Sequence, residues 1–115
     1  MTIRECYEQI NGDYEDVLRR LMDDHRIQKI LHYFQEENLL EELEAFIDEK
    51  DYTEAFRISH SIKGVCLNLG FTRLQESSSE LCEALKDGKK PENLEKLFEA
   101  VKKDYRNIIE VIEKL

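Results

Sequence analysis

Apolar residues recur along this chain at intervals of three and four, the spacing that gathers them on one face of an α-helix. Nowhere do apolar and polar residues alternate over the length of a strand. Asn11-Gly12-Asp13 reads as a helix stop followed by an N-cap rather than as a hairpin turn. The pattern predicts short helices over Ile3–Ile10 and Tyr14–Met22, then a third over His25–Phe34 capped by Asp23-Asp24. In that third helix Ile27, Ile30, Leu31 and Phe34 share a face. A fourth, over Asn38–Glu49, carries Leu39, Leu40, Leu43, Phe46 and Ile47, and is expected to run on from the third with a bend near Glu37. Asp51 with Glu54 forms a variant capping box for a fifth helix, Tyr52–Leu69. Gly70 closes that helix, because glycine takes the left-handed C′ conformation without strain. The sixth, Phe71–Lys86, places Phe71, Leu74, Ser78, Leu81 and Leu85 in one stripe and stops at Asp87-Gly88. Pro91 is expected in the first turn of the last helix, where a missing N–H costs nothing. There Leu94, Leu97, Val101, Tyr105, Ile108, Ile112 and Leu115 form the seam of an antiparallel four-helix bundle with short connections.

Composition narrows the class further. The 115 residues contain one proline, four glycines and no tryptophan, with 41% hydrophobic and 37% charged positions. This is the mix of a single helical domain, 1–115, long enough to bury a core without staples. The formal charge of −9 argues against nucleic acid, whose partners present a basic footprint. Lys89-Lys90 and Lys102-Lys103 are short pairs in acidic surroundings. No apolar run approaches a membrane span, and the N-terminus lacks the apolar stretch of a signal peptide. Cys6, Cys66 and Cys82 are odd in number and unpaired in spacing, so reduced, buried thiols in a cytoplasmic protein are expected. Nothing demands a dimer, and a monomer is expected.

The helical wheel of the fifth segment carries the chemistry. At about 100° per residue, Ala55, Ile58, Ser59, Ile62, Cys66 and Leu69 fall within roughly 80° of one another. His60 lies roughly 160° from the centre of that stripe, so it faces outward. Its neighbours on the outer face are Phe56, Arg57, Lys63, Gly64 and Leu67. An exposed Phe and Leu around an exposed histidine point to a contact surface, unless the short terminal helices cover them. An imidazole is a nucleophile near neutral pH. Lys63 can neutralise phosphoryl oxygens as a point charge. Gly64 removes a side chain where a phosphorylated partner and its metal would approach. A mid-helix glycine costs about 1 kcal/mol relative to alanine, which calls for an offsetting reason. The arrangement suits a histidine that accepts and hands on a phosphoryl group.

Other chemistry is harder to find. His25 and His32 are seven apart on one face, but a bundle di-metal site needs Glu-x-x-His pairs facing inward. Positions 22 and 29 are Met and Lys, so no metal site is expected. Cys66 and His60 point to different faces, and no Ser/His/Asp or Cys/His catalytic set is legible. Glu36-Glu37 and Glu41-Glu42 read as solvated helix surface.

The segment Ala55–Leu85 resembles a histidine phosphotransfer (HPt) domain. The resemblance rests on His60, Ile62, Lys63 and Gly64, then the Leu69-Gly70 turn, then Phe71 and Leu74. The rest of the chain is similar in helix order and size. This likeness implies an all-α, up-and-down four-helix bundle with short accessory N-terminal helices. It implies transient phosphorylation of His60, on Nε2, and exchange with an aspartate of a response-regulator receiver domain, with a hybrid histidine kinase as a further partner. The chain would then be a carrier and not an enzyme. It would bind no cofactor itself, the receiver supplying the acidic pocket and Mg²⁺. Phe56, Arg57 and Leu67, with parts of the N-terminal helices, would dock the receiver, and Gly64 would give it clearance. Two alternatives stay open: the phospho-accepting domain of a chemotaxis-type kinase, and an adaptor bundle without chemistry. The absence of a linker or kinase segment after Leu115 favours a free-standing module over the first.

Overall fold

Each predicted helix forms, and side chains cap four of the seven helix starts. The computed structural model describes residues 1–115 and contains α1 (Ile3–Gln9), α2 (Tyr14–Leu21), α3 (Asp24–Glu36), α4 (Leu39–Asp48), α5 (Tyr52–Leu69), α6 (Thr72–Leu85) and α7 (Leu94–Ile112). There are no strands. Asp13, Asp23 and Asp51 each accept a hydrogen bond from the backbone N–H three residues on, which satisfies an otherwise orphaned donor. The complete capping box belongs to Thr2 and Glu5 of α1. The Asp51–Glu54 box is only half made: Glu54 turns its carboxylate to Arg57 (2.6 Å), and the Asp51 N–H goes to the Phe46 carbonyl instead.

Helices α4 to α7 are the long arms of the bundle, with α3 continuing the first arm. The hairpin α5–α6 is the most extensively packed pair, followed by α6–α7 and α4–α5. Short connections between helices packed along their length make neighbours antiparallel. The molecule is elongated, 41 × 22 × 19 Å. The buried stripes predicted for α5 and α6 all enter the core: Ala55, Ile58, Ser59, Ile62, Cys66 and Leu69 from one helix, Leu74, Ser78, Leu81 and Leu85 from the other. Ser78 is tolerated there because its hydroxyl donates to the Leu74 carbonyl (2.6 Å), so its own polar group is paired.

Two expectations are corrected. The first arm does not bend near Glu37; it breaks. Glu37 is extended (φ −75°, ψ 148°) and α4 begins afresh after Asn38. Phe34, in the last turn of α3, packs its ring on Phe71 (5.1 Å) and Tyr105 (4.9 Å), and that aromatic anchor holds α3 in place. Pro91 does not enter the first turn of α7. It opens a turn before the helix, its carbonyl accepting from the Leu94 N–H, and α7 starts at Leu94 behind Asn93.

The accessory helices α1 and α2 clamp the far end of α5. The last carbonyls of a helix lack intrahelical partners, and here each finds one. Tyr7 Oη donates to the Leu69 carbonyl (2.7 Å). The Arg20 guanidinium donates to the carbonyls of Leu67 and Asn68. The Cys66 carbonyl accepts from the N–H groups of Gly70 and Phe71. The Gly70 carbonyl accepts from Asp13 N–H (2.9 Å). The positive charge of Arg20 at a helix C-terminus is also favourable with the macrodipole.

Candidate functional site

Helix α5 stands between the core and the surface, and its outward ridge carries His60. The imidazole is exposed, and no hydrogen bond involves its ring nitrogens. Phe56, one turn earlier, sits 6.2 Å away ring to ring. It is half-buried and packs against the core, so it supports the ridge as much as it lines it. Leu67, two turns after His60, is 50% exposed, a large apolar side chain left to solvent on the same face. Between them Gly64 leaves the ridge open: a Cβ built there meets nothing within 4 Å. Arg57 is exposed and held by Glu54 (2.6 Å).

Two clefts flank the ridge. On one side α5 meets α3 along a groove of 170 Å³ lined by Ile30, Tyr33, Phe34, Val65, Asn68 and Leu69, with Glu37 at its end. Tyr33 there is 61% exposed. On the other side α5 meets α6 and the start of α7 at a polar cleft lined by Lys63, Ser79, Glu80, Glu83, Ala84, Asn93 and Leu97. Lys63 is half-buried along this wall and makes no hydrogen bond or ion pair. The structure thus brings His60, Phe56, Lys63, Gly64 and Leu67 onto one surface. Arg57 lies at its edge, tied back along the helix.

The comparison with protein families now decides the class. The family model described as "Hpt domain" matches residues 16–113. The chain belongs to the Hpt domain family. It is therefore a histidine phosphotransfer module of phosphorelay signal transduction, and Hpt domains work with response-regulator receivers or kinases. The matched span covers α3 to α7 and most of α2, and leaves α1 outside. No curated protein and no solved structure matches the chain.

Sequence reasoning missed the part that five residues play around this surface. Ile30, Tyr33 and Val65 escaped because they sit on two helices whose mutual rotation no periodicity states. Arg20 was not singled out, although its place in the last turn of α2 is the one signal that could have found it. Glu83 carried no signal in the sequence, yet it lines the same cleft as Lys63. Elsewhere, His25 and His32 are exposed on α3, and nowhere do three metal-ligating side chains converge. No helix is long and apolar enough to cross a membrane. The three cysteines are buried free thiols, and burial pushes Cys66 up to about 12 and Cys6 up to about 11.

Proposed function

We propose that His60 is the phosphoacceptor, taking a phosphoryl group from an aspartyl phosphate of a receiver domain and returning it to one. The observation that carries this reading is the open ridge: an exposed imidazole with a free flank at Gly64 on the outer face of a helix whose other face is core. In the transfer, Nε2 of the neutral ring attacks phosphorus in line. The N–P bond forms as the P–O bond to the aspartate breaks, and the electron pair of that bond stays on the aspartate carboxylate. The other ring nitrogen keeps its proton. Phosphoryl transfer needs chiefly positioning and charge stabilisation. Lys63 provides charge on this side; the receiver provides its own acidic pocket and Mg²⁺, so this chain is a carrier with no cofactor of its own.

Phe56, Leu67 and the edge at Arg57 form the docking face, and the α3–α5 groove with Tyr33 extends it. Gly64 lets the partner's phosphorylated residue approach within bonding distance of the ring. Buried reduced thiols fit a cytoplasmic monomer, the compartment in which receivers and the cytoplasmic parts of kinases meet.

The test is phosphotransfer from a panel of receivers charged with a small-molecule phosphodonor and Mg²⁺. Acid-labile, alkali-stable label is expected on the wild type and absent from His60→Gln, with both proteins equally folded by circular dichroism. Receiver binding without label on the wild type would replace this reading with an adaptor bundle.

A further inference from the structure

The last turn of α5 is the part of the ridge least able to hold itself. Gly64 interrupts the helix one turn after His60, and a glycine inside a helix weakens it because more backbone freedom is lost there. Gly70 ends the helix. Between the two glycines lie Leu67 of the docking face and three residues of the α3–α5 groove, Val65, Asn68 and Leu69. The carbonyls of Leu67 and Asn68 fall in the final turn, beyond the reach of the intrahelical ladder. One side chain serves both. The Arg20 guanidinium donates through Nη2 to the Leu67 carbonyl (3.0 Å) and to that of Asn68. Its Nη1 donates to the Asp16 carboxylate one turn earlier on α2, which aligns the planar fork. The bonds thus fix the backbone of the residue whose apolar side chain is left to solvent.

We infer that Arg20 is a positioning residue for receiver docking: it holds the last turn of α5 so that Leu67 is presented at a fixed place on the His60 face, and it takes no part in the transfer itself. The inference rests on His60 being the acceptor and on Leu67 belonging to the docking face. Leu67 stands two turns, about 10 Å, beyond His60 along the helix. Without the guanidinium, two carbonyls are left to water and the final turn frays. A receiver then binds only the fraction of molecules in which that turn is formed, and its apparent affinity falls by that fraction. His60 is unaffected, because the body of α5 around it is anchored by the buried Ile58, Ser59 and Ile62. Weaker docking with intact chemistry is therefore the signature. Tyr7 serves the Leu69 carbonyl in the same way, but its ring is core, so Arg20 is the residue that isolates the effect.

The experiment compares two routes of labelling in wild type and Arg20→Met, which keeps the aliphatic stem and removes the fork. One is transfer from a charged receiver over a range of receiver concentrations; the other is direct labelling by phosphoramidate, which needs no docking. Arg20→Met is expected to raise the receiver concentration for half-maximal rate by about three- to tenfold. The maximal rate and the phosphoramidate labelling should stay within about twofold of wild type. Hydrogen exchange should quicken at the amides of Gly70 and Phe71, which bond to the Cys66 carbonyl, and not at Ile62. Asp16→Asn, which frees the fork without deleting it, should give the same split in smaller measure. The Arg20 side chain is 39% exposed, so direct contact with the receiver has to be told apart from action through Leu67. In a Leu67→Ala background the added loss from Arg20→Met should shrink below about twofold, as coupled residues require. An unchanged half-maximal concentration, a fully additive loss in that background, or an equal fall in phosphoramidate labelling overturns the inference and leaves His60 as acceptor. A wild type that takes no label from any receiver overturns the reading on which it rests.

Discussion

The two faces of α5 are built from one stretch of eighteen residues and obey opposite rules. The inner face is closed: Ala55, Ser59, Ile62 and Cys66 are wholly buried, and even the Ser59 hydroxyl is returned to the Phe56 carbonyl (2.8 Å). The outer face is open, with an exposed imidazole, an exposed leucine and an empty flank. Two glycines make the contrast sharpest. At Gly70 the backbone has φ +68°, and a Cβ would lie 2.6 Å from Val17 Cγ2 and 2.9 Å from the Asp13 carbonyl oxygen. At Gly64 the helix is regular and a Cβ would touch nothing. The fold requires the first glycine and is indifferent to the second, so a reason for Gly64 must be sought outside the folded chain. Docking clearance is such a reason.

Breaking the closed side should have the largest effect. Gly70→Ala combines a left-handed conformation with contacts to backbone and a packed valine, neither of which yields cheaply. A loss of about 2–4 kcal/mol is expected, read as a lower denaturation midpoint at unchanged slope. It would loosen α2 from α5 together with the turn itself. A loss below about 0.5 kcal/mol would mean that the clamp at the end of α5 is not rigid.

Alkali probes the inner face with a smaller effect. Burial pushes the Cys66 thiol up to about 12 from an ordinary 9.0. Its folded value exceeds its unfolded value, so its stabilising contribution is complete below pH 9 and is lost as pH rises towards 12. By pH 11 the unfolded thiol is ionised and the folded one is not, a loss on the order of 2 kcal/mol. Cys66→Ala should flatten the decline of stability between pH 9 and 11, measured by urea unfolding. An unchanged slope would place that thiol in contact with water.

The open side should give the smallest effect on stability and a separate effect on function. Gly64→Ala removes a helix-interior glycine with no steric cost, and is expected to stabilise the protein by up to about 1 kcal/mol. Gly64→Glu should leave the fold intact yet slow phosphotransfer by about tenfold or more, because small displacements of reacting atoms are costly. If Gly64→Glu transfers at the wild-type rate, the flank has no docking role and the contrast between the glycines loses its functional half.

These two faces also differ in how far they were legible beforehand. The orientation of His60 followed from the wheel alone, since the core stripe of α5 leaves only one side for it. The closure of α5 at Gly70 was equally visible, and so were the three aspartate caps. The surroundings of the ridge were not. That Lys63 leans into a cleft with Glu83, that Tyr33 and Val65 form a groove beside Leu67, and that Arg20 and Tyr7 reach the last carbonyls of α5 each join residues from separate helices. The break after Glu37 and the position of Pro91 ahead of α7 belong with them, because each depends on where a neighbouring element needs the chain to go.

Sequence by itself therefore determined the helices, most of their ends and the inward and outward faces of α5. These depend on local backbone geometry: a 3.6-residue period, a capping side chain, a residue that accepts positive φ. Only the tertiary structure decided which charges and apolar groups meet around His60. Those meetings depend on the rotation and register of packed helices, set by ridges and grooves between side chains distant in sequence, and a one-dimensional pattern carries no coordinate for either.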